Sequence, residues 1–137
     1  MNFSFDVGQR VLDQDLIPHC ISTDLTLPGR ELTVHSMTEM MTRFLAMDFT
    51  LDQVVTMCTL NPAKAIGEEN RIGTLGVGMQ ADISVLDLEE GDWVLKDVVG
   101  GTRRTEKAVV PTLTVKKGEV FEVGWGPRPW GWEPDSA

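Results

Sequence analysis

The sequence predicts a chain of two unlike parts, an α/β part over residues 1–66 and an all-β part over residues 67–123. Helix start signals recur through the first part, and a short apolar run within it, Cys20 to Thr23, ends at Asp24. The second part is punctuated by glycines and alternates apolar with polar residues, which is the period of a strand. Residues 124–137 are rich in Gly, Pro and Trp and show neither period, so we expect a tail there.

The composition is that of an acidic soluble protein. Of the 137 residues 42% are apolar, which supports a core, and 12 basic against 21 acidic residues give a net charge of -9. That balance disfavours nucleic acid and anionic membranes as partners. No apolar run approaches the roughly 20 residues of a membrane span, and no signal-peptide pattern opens the chain. We therefore expect a cytoplasmic protein, whose Cys20 and Cys58 are buried reduced thiols.

The first helices are expected where capping patterns occur. One helix runs from about Ser4 to Leu16, because Pro18 pushes Ile17 out of the α region. Ser36 and Glu39 form a capping box for a second helix. The apolar side chains that this helix directs to a core are Met40, Met41, Phe44, Leu45 and Met47.

Two further helix starts follow. Thr50 with Gln53 forms another capping box. The pair Asn61-Pro62 predicts a third start, with Asn as the cap and Pro at the first helical position. Gly67 then suits a left-handed C-terminal cap.

Strands are expected after the helices. Four segments carry a strand pattern: Ile83 to Leu88, Trp93 to Leu95, Thr102 to Lys107 and Val109 to Val115. Lys117-Gly118-Glu119 predicts a turn that opens a hairpin to Val120-Phe121. Gly73, Gly76 and Gly78 lack the spacing of a phosphate-binding loop and precede a strand rather than a helix, so no nucleotide is expected there.

Several segments carry a family pattern in combination: Ser4–Val7, Ile21–Leu25, Ser36–Met41, Thr59–Gly67, Ile72–Gly78 and Ala81–Leu86. Together they resemble the C-terminal third of the amidohydrolase superfamily, in its dihydroorotase-like amidohydrolase/deacetylase branch. The resemblance implies that residues 1–66 are the last strand and helices of a metal-dependent (β/α)8 TIM barrel. It also implies that residues 67–123 are part of a small β-sandwich.

The resemblance implies one site residue, Asp24. The family's barrel holds one or two divalent metals, usually zinc, and an aspartate after the eighth strand is a metal ligand and a catalytic residue. Asp24 matches that aspartate, which takes a proton from metal-bound water and passes it to the leaving amine. Zinc lowers the pKa of its water to about 7, so a nearby carboxylate can shuttle the proton. Without the resemblance, the favoured interpretation of Asp24 is a strand-end carboxylate that caps a loop.

The family's other ligands have no counterpart in this sequence. His19 lies at the start of the predicted strand, and His35 precedes a helix cap, so neither matches a ligand position. Because a catalytic zinc needs about three protein ligands, the chain alone is expected to bind no metal and to be inactive. We also expect an uncovered apolar face on the helices at Phe44, Leu45, Val54 and Val55, which would favour self-association.

Two functions remain open. The resemblance implies a fragment of a metal-dependent amidohydrolase or deacetylase that hydrolyses an N-acyl or cyclic amide C–N bond in a small molecule. Its activity would then require a complementary barrel chain. The alternative is a small non-catalytic interaction domain that retains an amidohydrolase remnant.

Overall fold

The computed structural model describes residues 3–24, 26 and 36–122. Its helices are α1 (Phe5–Leu12), α2 (Met37–Leu45), α3 (Leu51–Cys58) and α4 (Leu60–Ala65). Its strands are β1 (Ile83–Lys96), β2 (Thr102–Lys116) and β3 (Glu119–Glu122), which form one antiparallel sheet in the order β1-β2-β3. The predicted tail and His35 lie outside the described residues.

The predicted caps of α2 and α3 are present, and α1 is capped as well. The side chain of Ser4 caps α1, and the hydroxyl of Ser36 accepts from the amide of Glu39 at 3.2 Å to cap α2. At α3 both bonds of the capping box between Thr50 and Gln53 form. Helix α1 ends at Leu12, short of the predicted Leu16, because the chain then turns and reaches a left-handed backbone (φ 59°) at Asp15.

The prediction for the start of α4 is wrong, whereas the prediction for its end is confirmed. Thr59 is the N-cap residue, so Asn61 lies inside the first turn. Gly67 follows the helix in the left-handed region with φ 72°. Its amide donates to the carbonyl of Lys64 at 3.1 Å, and the next amide donates to the carbonyl of Ala63 at 2.8 Å. This pair of bonds is a Schellman motif, which satisfies two carbonyls at the helix end.

The strand predicted for Cys20 to Thr23 does not form. The segment has no regular secondary structure, and no described strand lies beside it to complete the hydrogen-bond ladder that a strand requires. Ile21 is anchored by a buried side chain and by its amide, which donates to the carbonyl of Met57 at 3.0 Å. Cys20 is exposed, which corrects the expected burial of this thiol. Cys58 is half-buried, and burial raises the pKa of its thiol to about 11.

Strands β1 and β2 each join two of the predicted segments. The register shifts between Val85 and Leu86, beside Pro111, and again between Glu90 and Trp93. Such irregularities tolerate a proline within a sheet and interrupt the period-two pattern, which explains why the sequence predicted shorter strands. The predicted turn is confirmed, since Lys117 (φ 51°) and Gly118 (φ 85°) form a two-residue link between β2 and β3.

The core consists of two clusters that meet at β2. The first contains Phe5, Met47, Trp93, Leu95, Ala108 and Val110. The second contains Ile21, Met40, Met41, Val54, Met57 and Val109. Because successive side chains of a strand point to opposite faces, β2 contributes to both clusters. Val54 is fully buried and Phe44 and Leu45 are half-buried, so this part of the apolar face that we expected to be uncovered is covered. Val55 is exposed, as expected.

Helix α2 covers the edge of β2 where β3 does not reach. Strand β3 pairs with β2 from Leu113 to Lys116. Nearer the middle of β2, the amide of Val109 donates to the hydroxyl oxygen of Thr42 at 2.9 Å, and that hydroxyl donates to the carbonyl of Thr38 at 2.9 Å. Thr42 is fully buried. A helix side chain thus replaces a neighbouring strand and protects the edge.

Replacing Thr42 by Val is expected to lower the free energy of unfolding by about 1–3 kcal/mol, because the buried amide of Val109 loses its acceptor. Thr42→Ser is the matched control: it keeps the hydroxyl and loses one methyl group, worth about 0.8 kcal/mol. Urea denaturation of both variants measures the difference. Equal destabilisation would mean that packing of the methyl group, rather than the hydrogen bond, holds α2 on the strand.

Asp97 joins the loop between β1 and β2 to the start of α1. Its carboxylate accepts from the amides of Phe5 (2.9 Å), Val99 (3.0 Å) and Gly101 (2.7 Å). Burial tends to raise the pKa of this carboxyl, but the amide bonds together outweigh it, and the net pKa is lowered. The bond to Phe5 spans 92 residues of sequence, so this side chain connects the first helix to the sheet.

Because the pKa of Asp97 is lower in the folded protein, its stabilising contribution is full above the unfolded pKa of about 3.9 and is lost as pH falls through the folded pKa. Asp97→Asn places an N–H group opposite an amide donor, and we expect it to lower the free energy of unfolding at pH 7 by about 1.5–3 kcal/mol. The variant should also lose less stability between about pH 4 and pH 2 than the parent. Asp87→Asn, at an exposed position on β1, is the control. The same acid dependence in all three proteins would contradict this account.

Candidate functional site

Asp24 lies at the end of the irregular segment 16–24, with an exposed side chain. Its backbone is left-handed, with φ 45°. Aspartate adopts this region more readily than most residues do. The ligand and catalytic roles of Asp24 stay predictions.

The helices α3 and α4 hold the segment that precedes Asp24. Ile21 contributes its side chain to the second cluster, and its amide bonds to the last turn of α3 at Met57. Two residues earlier, the carbonyl of His19 accepts from the side-chain amide of Asn61 at 2.8 Å. Two points on the segment are therefore fixed to the corner between α3 and α4.

The described residues do not assemble a metal site by themselves. No group of three or more His, Cys, Asp or Glu side chains in residues 3–24, 26 and 36–122 is arranged to hold a metal ion. His19 is exposed and contributes its carbonyl, rather than its ring, to a described contact. These residues therefore do not fit a catalytic metal by themselves, since such a site needs about three protein ligands.

Gly73 and the Asn61-Pro62-Ala63 segment pack against each other. Gly73 has φ 92°. A Cβ atom at Gly73 would lie 2.7 Å from the Cβ of Ala63 and 3.0 Å from the carbonyl oxygen of Thr59. Two of the segments that carry the family pattern thus meet through a close backbone approach that only glycine permits.

Asp82 ties the start of the sheet to the turn between β2 and β3. Its carboxylate accepts from Lys116 Nζ at 2.7 Å, from the amide of Lys117 at 2.9 Å and from Gln80 Nε2 at 2.6 Å. The bond from Lys116 is the main cause that lowers the pKa of Asp82 to about 2. Asp82 therefore shapes the sheet, and this role is not evident from the Ala-Asp-Ile pattern alone.

An apolar groove lies between α1, α2 and the segment after α1, with a cavity volume of about 320 Å³. The lining residues are Phe3, Gly8, Val11, Leu12, Leu16, Ile17, Pro18, Phe44 and Met47. Leu16 and Ile17 are 59% and 65% exposed at its rim. Sequence reasoning missed the groove because residues from distant parts of the chain form it.

Comparison with known proteins identifies relatives over most of the chain. The profile of the amidohydrolase family matches residues 9–121. A deacetylase of Agrobacterium fabrum is 34% identical over 122 residues, which are 88% of this chain and 29% of that protein. A deacetylase of Brucella anthropi is 31% identical over 122 residues, again 88% of this chain, and 30% of its own length. The chain thus spans about a third of the length of these relatives.

Solved structures share the fold. The crystal structure of a dihydroorotase matches with a TM-score of 0.77 and 33% identity, over 88% of this chain and 32% of that one. The crystal structure of an adenine deaminase matches with a TM-score of 0.83 over 88% of this chain and 33% of that one; at 24% identity it shows the fold alone. These neighbours place the fold in the TIM-barrel superfamily. None of the helices in the described ranges has the length and apolar character of a membrane span.

Substituting Gly73 by Ala tests whether the family segments meet by close packing. A left-handed backbone costs a residue with a Cβ about 1–2 kcal/mol, and overpacking against Ala63 adds about 1–3 kcal/mol. Gly78→Ala is the matched control, since Gly78 has φ 89° with no heavy atom within 4 Å of the new Cβ. We expect thermal denaturation to show a clearly lower melting temperature for Gly73→Ala than for Gly78→Ala. Similar losses would show that the contact with Ala63 is loose.

Proposed function

This chain belongs to the amidohydrolase family, and we propose that it supplies the Asp24-bearing portion of a metal-dependent enzyme that hydrolyses a C–N bond in a small molecule. One observation carries the proposal. Asp24 presents an exposed carboxylate at a left-handed turn, at the end of a segment that two helices hold. The match to the deacetylases covers 88% of the chain. The resemblance makes Asp24 the counterpart of the family's last metal-binding aspartate.

The division of the chain follows the same proposal. Residues 1–66 belong to the end of the barrel, and residues 67–123 belong to a small β-sandwich. The three-stranded antiparallel sheet over residues 83–122 supports the second assignment. It has the antiparallel pairing that a sandwich layer requires.

The carboxylate of Asp24 suits acid–base chemistry. A carboxylate placed beside a reacting group can accept a proton, and help of this kind is typically worth about 10²–10⁴-fold in rate. In the family, a divalent metal, usually zinc, activates the attacking water. The described residues assemble no group of three or more candidate ligands, so we propose that further ligands come from outside them, on a complementary barrel segment. Both curated relatives quoted above are deacetylases, which favours an N-acyl substrate over a cyclic amide.

A second candidate function is a non-catalytic interaction domain. The apolar groove with exposed Leu16 and Ile17 favours it, because exposed apolar surface of this kind often marks a docking site. The two candidate functions differ in whether loss of the Asp24 carboxylate lowers the turnover of the assembled protein.

We expect Asp24→Asn to lower turnover by about 10²–10⁴-fold in a complex assembled with the complementary part of an amidohydrolase barrel. Asparagine keeps the size and one acceptor oxygen but cannot take the proton. The measurement is release of the acid from N-acyl substrates, with the metal content of each preparation determined in parallel. Asp15→Asn is the matched control, because Asp15 is also exposed and left-handed, with φ 59°. Near-normal turnover in Asp24→Asn would remove this residue from the mechanism and favour the interaction domain.

A further inference from the structure

We propose that Asn61 is a positioning residue for Asp24, through its hydrogen bond to the backbone of the segment that carries Asp24. The side-chain amide of Asn61 lies 2.8 Å from the carbonyl oxygen of His19, 42 residues away in sequence. The role of Asp24 in this inference rests on the proposed function. The contact between Asn61 and His19 does not depend on it.

Asn61 projects from a rigid element. Helix α4 is closed by the Schellman bonds at Gly67, and its Ala63 is buried against Gly73. Thr59, which precedes the helix, donates its hydroxyl to the carbonyl of Val55 at 2.7 Å and so joins α4 to α3. The backbone that carries the side chain of Asn61 is therefore fixed by packing and hydrogen bonds. A residue that positions another group needs such support.

The bond at His19 gives the segment before Asp24 a fixed point in addition to Ile21. In a sheet, neighbouring strands would fix the direction of such a segment at every other residue, but no described strand lies beside it. The bonds at His19 and Ile21 attach the segment to α4 and α3. Residues 19–24 span at most roughly 16 Å when extended, so a small change of direction at these two points displaces the carboxylate of Asp24 substantially.

The chemistry of the contact explains why the motif has asparagine. A carbonyl oxygen accepts hydrogen bonds and needs an N–H or O–H donor. Aspartate has the same shape but, when ionised, has no donor, and its oxygen would repel the carbonyl of His19. Alanine leaves the carbonyl without this partner. The Asn-Pro-Ala segment thus combines a donor aimed at the Asp24 segment with Ala63, which packs under Gly73.

Amide hydrogen exchange in the full chain without metal tests the contact. The amide of Ile21, bonded to Met57, reports on the segment, and the amide of Val109, bonded to Thr42, reports on the whole fold. We expect Asn61→Ala and Asn61→Asp to speed exchange at Ile21 by about threefold to tenfold relative to Val109, the value of one net hydrogen bond. Lys64→Ala, at an exposed position of the same helix, is the control and should leave the ratio unchanged.

An unchanged ratio in Asn61→Ala would overturn the proposal. So would equal acceleration at both amides, because it would mean that Asn61 supports the whole fold and not this segment. Since the readout is a ratio between two amides, a general loss of stability cannot mimic the expected result.

A double-mutant cycle in the assembled complex connects the contact to Asp24. We expect Asn61→Ala to lower kcat by about tenfold with little change in KM, because it displaces a reacting group without removing substrate contacts. In the Asp24→Asn background the same change should cost less than about twofold, because the two residues act through one group. Equal costs in both backgrounds would show that Asn61 acts independently of Asp24. Near-normal turnover in Asp24→Asn, by contrast, would refute the proposed function and leave the exchange result intact.

Discussion

The hydrogen bond from the amide of Val109 to the hydroxyl of Thr42 joins the helical part of the chain to the sheet. It is buried, 2.9 Å long, and spans 67 residues. Both hydrophobic clusters meet β2 at this level, one on each face. Because a buried amide without a partner is costly, helix α2 can sit in only one register against the strand. The rest of the helical part is then placed by its packing on α2.

The next residue along α2 extends this constraint to the start of the chain. Arg43 is 1% exposed, and its Nη2 donates to Glu39 Oε1 at 2.7 Å. Its guanidinium carbon lies 5.5 Å from the ring centroid of Phe3 and 5.7 Å from that of Phe5. Stacking of this kind favours arginine over lysine. Asp97 then binds the amide of Phe5 from the sheet side. Phe3 and Phe5 thus contact the charged side chain of Arg43 on α2, and Phe5 also binds the charged side chain of Asp97 beside the sheet.

The sequence predicts what is local and misses what is not. The caps at Ser36 and Thr50, the end of α4 at Gly67 and the Lys117-Gly118 turn depend on residues a few positions apart, and each prediction is confirmed. The strand before Asp24 was predicted wrongly because a strand requires a partner that the pattern of one segment cannot reveal. The start of α4 was misplaced because capping preference allows neighbouring positions to compete.

The polar contacts that organise the fold, at Thr42, Asp97 and Asn61, span 67, 92 and 42 residues and left no local signal. The role proposed for Asp24 rests on family resemblance rather than on its spacing in the sequence.

The segments that carry the family pattern perform different physical tasks. Gly73 permits close packing, and Asp82 holds a turn of the sheet through Lys116 and Lys117. Gly73 thereby supports the helix α4, from which Asn61 projects, whereas Asp82 acts within the sheet. A carboxylate that takes part in catalysis works best when its geometry is set before the reaction begins. On the proposed function, the bonds of the Asp24 segment to α3 and α4 supply that geometry.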